Sequence, residues 1–200
     1  MASLNGAAGE PRAPLGGNEL LRKLTHVSMG LFAFALRSLG PFWGAVLAAS
    51  ALAFNLFLLP RIGGKKLWRD HEHDAGGALG IVLYPLAVLL LILVFYRWLE
   101  IAAATWGILA FGDGMATVVG LSLGGSKLPW NRRKSWAGSA AYVAFGAVAA
   151  AVLLVWTAPA QGRAYEWGFA LAIATAAALL AAAIESLPNG LDDNLSVPLL

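Results

Sequence analysis

Six long apolar stretches occupy most of this chain and constrain its fold more than any other feature. A bilayer core requires about 20 mostly apolar residues per helical crossing. Of the 200 residues, 59% are hydrophobic and only 12% are charged, which leaves too little polar surface to cover a water-soluble domain. The sequence therefore predicts an all-α, polytopic transmembrane helix bundle of about six crossings. The predicted crossings are 24–39, 41–59, 79–96, 98–123, 137–156 and 167–187.

The sequence divides into an N-terminal tail and one transmembrane domain. Residues 1–18 consist mainly of Gly, Ala, Pro and Asn, a composition typical of a flexible tail, and they lack the apolar run of a secretory signal. Residues 19–200 are predicted to form a single transmembrane domain. The absence of cysteine excludes a disulfide framework and a cysteine metal site.

The basic residues predict the orientation of the bundle, because cytoplasmic loops are enriched in Lys and Arg. Eleven of the fourteen basic residues fall before the first crossing or in the stretches 61–78 and 124–136. The other side carries only Arg37, Arg97 and Arg163. Both termini are therefore expected on the cytoplasmic side, together with most of the polar residues.

Asp113 is the strongest candidate for function. It lies inside the fourth predicted crossing, about 12 Å deep at 1.5 Å per residue. An ionised Asp there costs roughly 3 kcal/mol on insertion scales, and such residues usually mark functional sites. Small residues follow at four-residue spacing from Gly112 to Gly124 and predict a smooth face for close helix packing. The alternative is a packing seam that holds an incidental, partnered acid.

Three further clusters border the same membrane face. Arg22 and His26 are one turn apart where the first crossing begins, although a simple basic anchor explains them too. The glycine-rich loop 124–136 carries four cations that suit a polyphosphate, or anionic lipid headgroups. An acidic turn follows the sixth crossing, with hard oxygen ligands suited to Mg²⁺, or it is merely solvated. The tract at 71–74, His-Glu-His-Asp, is more typical of a solvated loop than of a metal site.

Several blocks of sequence resemble the dolichol kinase and phytol kinase family. The resemblance covers roughly residues 20–198. Its blocks are Arg22-Lys23-x-x-His26-x-x-x-Gly30, Gly80-x-x-x-Tyr84-Pro85-Leu86, Gly112-Asp113-x-x-Ala116-x-x-x-Gly120-x-x-x-Gly124-x-x-Lys127, Lys134-Ser135-Trp136-x-Gly138-Ser139 and Glu185-x-x-Pro188-x-x-x-Asp192-Asp193-Asn194-Leu195-x-Val197-Pro198.

The resemblance implies transfer of the γ-phosphate of a nucleoside triphosphate, with CTP favoured, to the hydroxyl of a membrane lipid alcohol on the cytoplasmic face. Mg²⁺ is expected to arrive with the nucleotide, and no nucleic-acid partner is expected. The expected catalytic residues are Asp113, Asp192 and Asp193. The expected metal ligands are Asp113, Glu185, Asp192, Asp193 and Asn194. The expected phosphate-binding residues are Arg22, His26, Lys127, Arg132, Lys134 and Ser135.

Two other functions fit the same residues. A cytidylyltransferase acting on a lipid phosphate would use the same ions and release pyrophosphate. A non-enzymatic transport or lipid-binding protein would need none of this chemistry, but a transporter typically has internal repeats and helices broken near the midplane. The sequence contains no internal repeat, and its polar groups crowd one interface.

The orientation can be tested with single cysteines. Cysteine at Arg37, Arg97 or Arg163 should react with an impermeant thiol reagent added outside, because the charge asymmetry places these residues there. Cysteine at Lys66 or Arg132 should stay unlabelled until the membrane is permeabilised. Labelling of the Arg132 position from outside would overturn the predicted orientation.

Overall fold

A computed structural model of the protein describes residues 17–62, 79–123 and 125–187. Apart from one bridge between Lys127 and Ser135, the regular structure in these ranges is helical. Its helices are α1 (Gly17–Gly30), α2 (Leu36–Ala53), α3 (Leu79–Val94), α4 (Leu99–Gly107), α5 (Asp113–Ser122), α6 (Trp136–Thr157) and α7 (Trp167–Ser186). The predicted tail up to residue 16, the tract at 71–74, and Asp192, Asp193 and Asn194 lie outside the described residues.

Short turns of other helix types connect the α-helices. A 3₁₀ turn, Leu31–Ala35, joins α1 to α2, and another, Ala158–Gln161, follows α6. A π-helical turn, Phe54–Leu58, extends α2, and a second, Ile108–Gly112, joins α4 to α5. Several apolar segments are thereby longer than any single α-helix within them.

The backbone breaks at Gly40, inside the residues assigned to α2. Gly40 has φ 68° and ψ 177°, a conformation that only glycine adopts readily, and Pro41 after it cannot continue the preceding helix. The break therefore falls where the sequence predicts the boundary between the first two crossings.

The helices agree in length and composition with a membrane protein. Four helical segments in the described part of the chain are long and apolar enough to cross a bilayer, and Ile81–Val94 is a shorter apolar helix. The first of the four, Lys23–Leu58, contains the break at Gly40. The all-helical prediction is confirmed, whereas the count of six crossings and the orientation stay predictions. The four segments are Lys23–Leu58, Leu99–Ser122, Trp136–Gln161 and Trp167–Ser186.

Alanines make up about half of the buried apolar residues, and many large apolar side chains face outward. The long helix α6 packs against α4, α5 and α7, and a Cβ on Gly107 of α4 would lie only 2.7 Å from the Leu153 side chain of α6. This distribution matches helix association in lipid, where close backbone approach replaces the hydrophobic effect. The buried alanines of α6 and α7 are Ala141, Ala147, Ala150, Ala151, Ala170, Ala174, Ala178, Ala181 and Ala182.

A buried carboxylate lies at the start of α4. Glu100 is fully buried and accepts a hydrogen bond of 3.1 Å from Arg163 Nη1, and the Tyr165 hydroxyl donates to it at 3.4 Å. Arg163 also donates to the Arg97 carbonyl at 3.0 Å, and its guanidinium lies 3.8 Å from the centre of the Trp98 ring. These contacts fasten the connection between α6 and α7 to the turn between α3 and α4.

The Glu100 cluster predicts a local loss of stability on neutralisation. Glu100→Gln keeps the shape of the side chain but removes the charge that Arg163 faces, so the free energy of unfolding should fall by about 2 kcal/mol. Glu166→Gln is the matched control, because Glu166 is exposed in the same connection. Unfolding in detergent measures both variants. Equal stability of Glu100→Gln and the wild type would show that the ion pair does not hold this connection.

Candidate functional site

The backbone around Asp113 is shaped by close helix packing. The π-helical turn Ile108–Gly112 ends immediately before Asp113, and such turns are rare and frequent at functional sites. A Cβ on Gly112 would lie 3.3 Å from the Tyr142 ring of α6, and one on Gly114 would collide with Val27 of α1. The glycines on either side of Asp113 therefore let α1 and α6 enclose it.

Asp113 forms a buried ion pair with Lys23. Lys23 Nζ lies 2.6 Å from Asp113 Oδ2, and the two residues are 6% and 5% exposed. His26 of α1 extends the cluster, because its Nε2 lies 3.7 Å from the same oxygen. That nitrogen is also 3.0 Å from the Leu109 carbonyl oxygen, which can only accept, so Nε2 carries the hydrogen in this bond. Two basic side chains from one turn of α1 thus lie beside the same carboxylate oxygen.

A second polar layer connects this cluster to α3 and α4. The Tyr84 hydroxyl accepts a hydrogen bond of 2.8 Å from Trp106 Nε1 and lies 3.4 Å from the His26 carbonyl oxygen. The rings of His26 and Tyr84 are 4.3 Å apart, centre to centre. The His26 ring is therefore positioned by the Leu109 carbonyl and by the Tyr84 ring.

The loop between α5 and α6 is an ordered hairpin. The Leu128 amide donates to the Lys134 carbonyl at 3.1 Å, and the Trp136 amide donates to the Ser126 carbonyl at 3.2 Å. Ser135 is buried, and its hydroxyl accepts from the Gly138 amide at 3.2 Å, the geometry of a helix N-cap. The cationic residues Lys127, Arg132 and Arg133 of this hairpin are exposed.

The hairpin is attached to the end of α7. Lys134 forms an ion pair with the buried carboxylate of Glu185. Asn131 Nδ2 donates to the Ser186 carbonyl at 3.2 Å, and Trp130 Nε1 donates to the Ser186 hydroxyl at 3.2 Å. Helix α5, which begins at Asp113, packs against the base of the hairpin, since a Cβ on Gly120 would lie 3.1 Å from the Ser135 hydroxyl. The basic hairpin, the end of α7 and the Asp113 cluster therefore belong to one region of the protein.

The structure brings together part of the predicted site. His26 lies beside Asp113, and Lys134 lies beside Glu185. Ser135 caps α6, so its hydroxyl already has a structural role. No group of three His, Asp or Glu side chains that could hold a metal occurs among the described residues. The predicted Mg²⁺ ligands at 192–194 and the side chain of Arg22 are not in that part of the chain.

Lys23 is the residue that the sequence reasoning missed. The sequence analysis pairs Arg22 with His26, four residues later, as expected phosphate-binding residues, and Lys23 between them forms the ion pair with Asp113. Residues three apart on a helix share a face as well. The spacing of Lys23 and His26 was therefore a usable signal, equal in strength to the one that favoured Arg22.

Comparison with known proteins gives the family context. The chain is 32% identical over 183 residues to "Probable phytol kinase 2, chloroplastic" of Glycine max, which covers 90% of this chain and 62% of the relative. It is 31% identical to "Probable phytol kinase, chloroplastic" of Triticum aestivum (90% and 64%) and 29% identical to "Farnesol kinase, chloroplastic" of Arabidopsis thaliana (90% and 62%). The chain is a homologue of the phytol and farnesol kinases.

This homology confirms the resemblance carried by the motif blocks. The chain spans about three fifths of the length of these three relatives. No family model matches it, and no solved structure does.

The ion pair at the centre of the site predicts a double-mutant cycle in stability. Lys23→Met leaves a buried carboxylate without its closest partner, and Asp113→Asn leaves a buried ammonium, so each should cost about 3 kcal/mol or more. The double variant removes both charges and should regain most of that loss. Unfolding in detergent measures the cycle.

Lys127→Met is the control for the cycle, because Lys127 is exposed and its loss should change stability by no more than about 0.5 kcal/mol. Strictly additive losses in the double variant would contradict the ion pair.

Proposed function

We propose that this protein is a membrane-embedded kinase that transfers the γ-phosphate of a nucleoside triphosphate, with CTP favoured, to the hydroxyl of a prenol-type lipid. The observation that carries the proposal is the buried cluster of Asp113, Lys23 and His26 in a homologue of the phytol and farnesol kinases. A charged cluster inside apolar helices is costly and typical of a functional site. Its position beside a basic hairpin fits phosphate chemistry.

The donor side of the proposed site is the basic hairpin. Lys127 and Arg132 are exposed there, and together with Lys134 they would bind the phosphates of the nucleotide. Because Asn131 attaches the hairpin to α7, the backbone that carries these cations has a fixed position. We place this side of the protein at the cytoplasmic face, as the distribution of basic residues predicts.

The carboxylates near the hairpin suit Mg²⁺ only in part. Asp113 and Glu185 each already face a lysine, so a metal would depend on further oxygen ligands, for which Asp192, Asp193 and Asn194 are the proposed source. Mg²⁺ bound with the nucleotide would neutralise charge on the phosphate oxygens. Arg22 and Ser135 remain proposed phosphate contacts.

On the acceptor side, Asp113 is the proposed base. The hydroxyl oxygen of the lipid attacks the γ-phosphorus, the bond from that phosphorus to the bridging oxygen breaks, and the nucleoside diphosphate leaves with the electron pair. The hydroxyl proton passes to the Asp113 carboxylate. The Lys23 ammonium can be shared between Asp113 and the incoming phosphate, which frees the carboxylate to accept the proton. His26 orients the acceptor beside them.

The turnover of the same double-mutant cycle tests the proposal. Purified protein should transfer label from γ-labelled CTP, and less readily from ATP, to phytol or farnesol, and EDTA should abolish the reaction. Asp113→Asn should lose turnover by about 10³-fold, equivalent to roughly 4 kcal/mol of transition-state stabilisation. The variant that combines it with Lys23→Met should be stable again, because no buried charge is left unpaired. It should be equally inactive, because the reaction needs the Asp113 carboxylate.

Glu100→Gln is the matched control, because it also neutralises a buried carboxylate, about 20 Å away along the same helical segment. It should keep most of its turnover below its melting temperature. An active Asp113→Asn variant would remove Asp113 from the reaction. Release of pyrophosphate with a lipid phosphate as substrate would identify a cytidylyltransferase instead.

A further inference from the structure

An apolar cavity lies between α1, α2, α3 and α4, next to the Asp113 cluster. Its volume is about 510 Å³, within the usual range for a pocket that holds a small molecule. Most of its wall is hydrocarbon, from side chains that include Met29, Leu36, Leu47, Ala48 and Val88. A chain of methyl and methylene groups is the kind of ligand that such a wall accommodates.

Polar groups of the wall gather at one end of the cavity. Asn55 donates to the Ile81 carbonyl at 2.8 Å, and Ile81 lies one turn from Tyr84 on α3. Tyr84 in turn contacts His26 and Trp106, and all of these residues line the cavity. Because His26 Nε2 is also 3.7 Å from Asp113 Oδ2, the polar end of the cavity lies next to the proposed catalytic carboxylate, with the His26 side chain between them.

The opposite end is closed by tight packing around Gly44. A Cβ on Gly44 would lie 2.7 Å from the Leu36 side chain and 3.6 Å from that of Ile92. From His26 to Leu39, both on the cavity wall, the helix advances about 20 Å. An extended covalent chain advances about 1.2 Å per bond, so the cavity corresponds to roughly 16 bonds, or about four isoprene units.

The cavity faces the region expected to be lipid. Met29, Phe32 and Leu47 line it and are 40%, 56% and 51% exposed. In a membrane these exposed apolar side chains would border lipid. A hydrophobic ligand can therefore enter from the side, between α1 and α2, without passing through water.

From these observations we infer that the cavity binds the prenyl chain of the acceptor alcohol, with the hydroxyl at His26 and the chain directed toward Gly44. The inference rests on the proposed kinase function, and it adds the position of the acceptor and the length of chain that the cavity holds. Because the Gly44 end is closed, an alcohol of about four isoprene units fills the cavity along its length, and the rest of a much longer polyprenol would leave through the opening on the lipid side.

Filling the middle of the cavity should shorten the accepted alcohol. Ala48 is buried and lines the cavity, whereas its neighbour Ala49 is exposed and does not. In Ala48→Phe, kcat/KM for phytol should fall by about 30-fold or more, because the ring occupies the space of the distal chain. The value for geraniol, which is two isoprene units shorter, should change by less than about 3-fold. Ala49→Phe is the matched control and should leave both values near the wild type.

A binding measurement separates this inference from the kinase proposal. A phytol analogue with a diazirine at the end of its tail is photolysed on the wild-type protein, and the labelled residues are identified by mass spectrometry. Label should appear between residues 36 and 48, and free phytol should suppress it. This experiment needs neither turnover nor a folded variant.

The outcomes are distinct. Label elsewhere, or equal losses for all alcohols in Ala48→Phe, would overturn the cavity assignment while a wild-type kinase activity still stands. Absence of transfer from any nucleotide to any of the alcohols, with label at 36–48 present, would reject the kinase and leave a prenol-binding site. Suppressed labelling and the shift toward geraniol together support the inference.

Discussion

The burial of one carboxylate within apolar helices is the constraint on which this structure depends. Asp113 cannot be left unpaired in such surroundings, and Lys23 and His26 meet it from one turn of α1. That contact holds the first helix against the fifth. It also explains the flanking glycines, since Gly112 and Gly114 let α6 and α1 approach closely enough to enclose the charge.

The buried acids Glu100 and Asp113 have different surroundings, and these surroundings indicate a structural role for Glu100 and support the proposed catalytic role of Asp113. Glu100 is fully buried and surrounded by Arg163 and Tyr165, so it fastens two chain connections. Asp113 lies beside His26, which lines the apolar cavity, and it begins the helix α5 that leads to the basic hairpin. The surroundings of Asp113 therefore suit the proposed reaction, whereas the contacts of Glu100 account for it as a structural ion pair.

The packing of the bundle also differs between two groups of helices. The helices α4 to α7 are joined through alanines and glycines, which bring their backbones together and leave little space. The cavity lies where α1, α2 and α3 carry larger side chains around Gly44 and Ala48. The π-helical turn before Asp113 contacts α1 on one side and α6 on the other. Close packing thus surrounds Asp113 on the side of α6, and the gap beside α1 leaves room for a hydrocarbon chain.

Much of the fold was predictable from the sequence because it depends on neighbours along the chain. Apolar stretches of sufficient length predict the helices, Gly40-Pro41 predicts the break between the first two, and an acid within such a stretch predicts a functional position at Asp113. The motif blocks predicted the family. The partners of the buried charges were not predictable in this way. The ion pair of Asp113 with Lys23 spans 90 residues, and that of Glu100 with Arg163 spans 63. Only the packing of helices decides which basic residue meets a buried acid and where a gap between helices becomes a cavity, because both depend on distances between segments that no local pattern encodes.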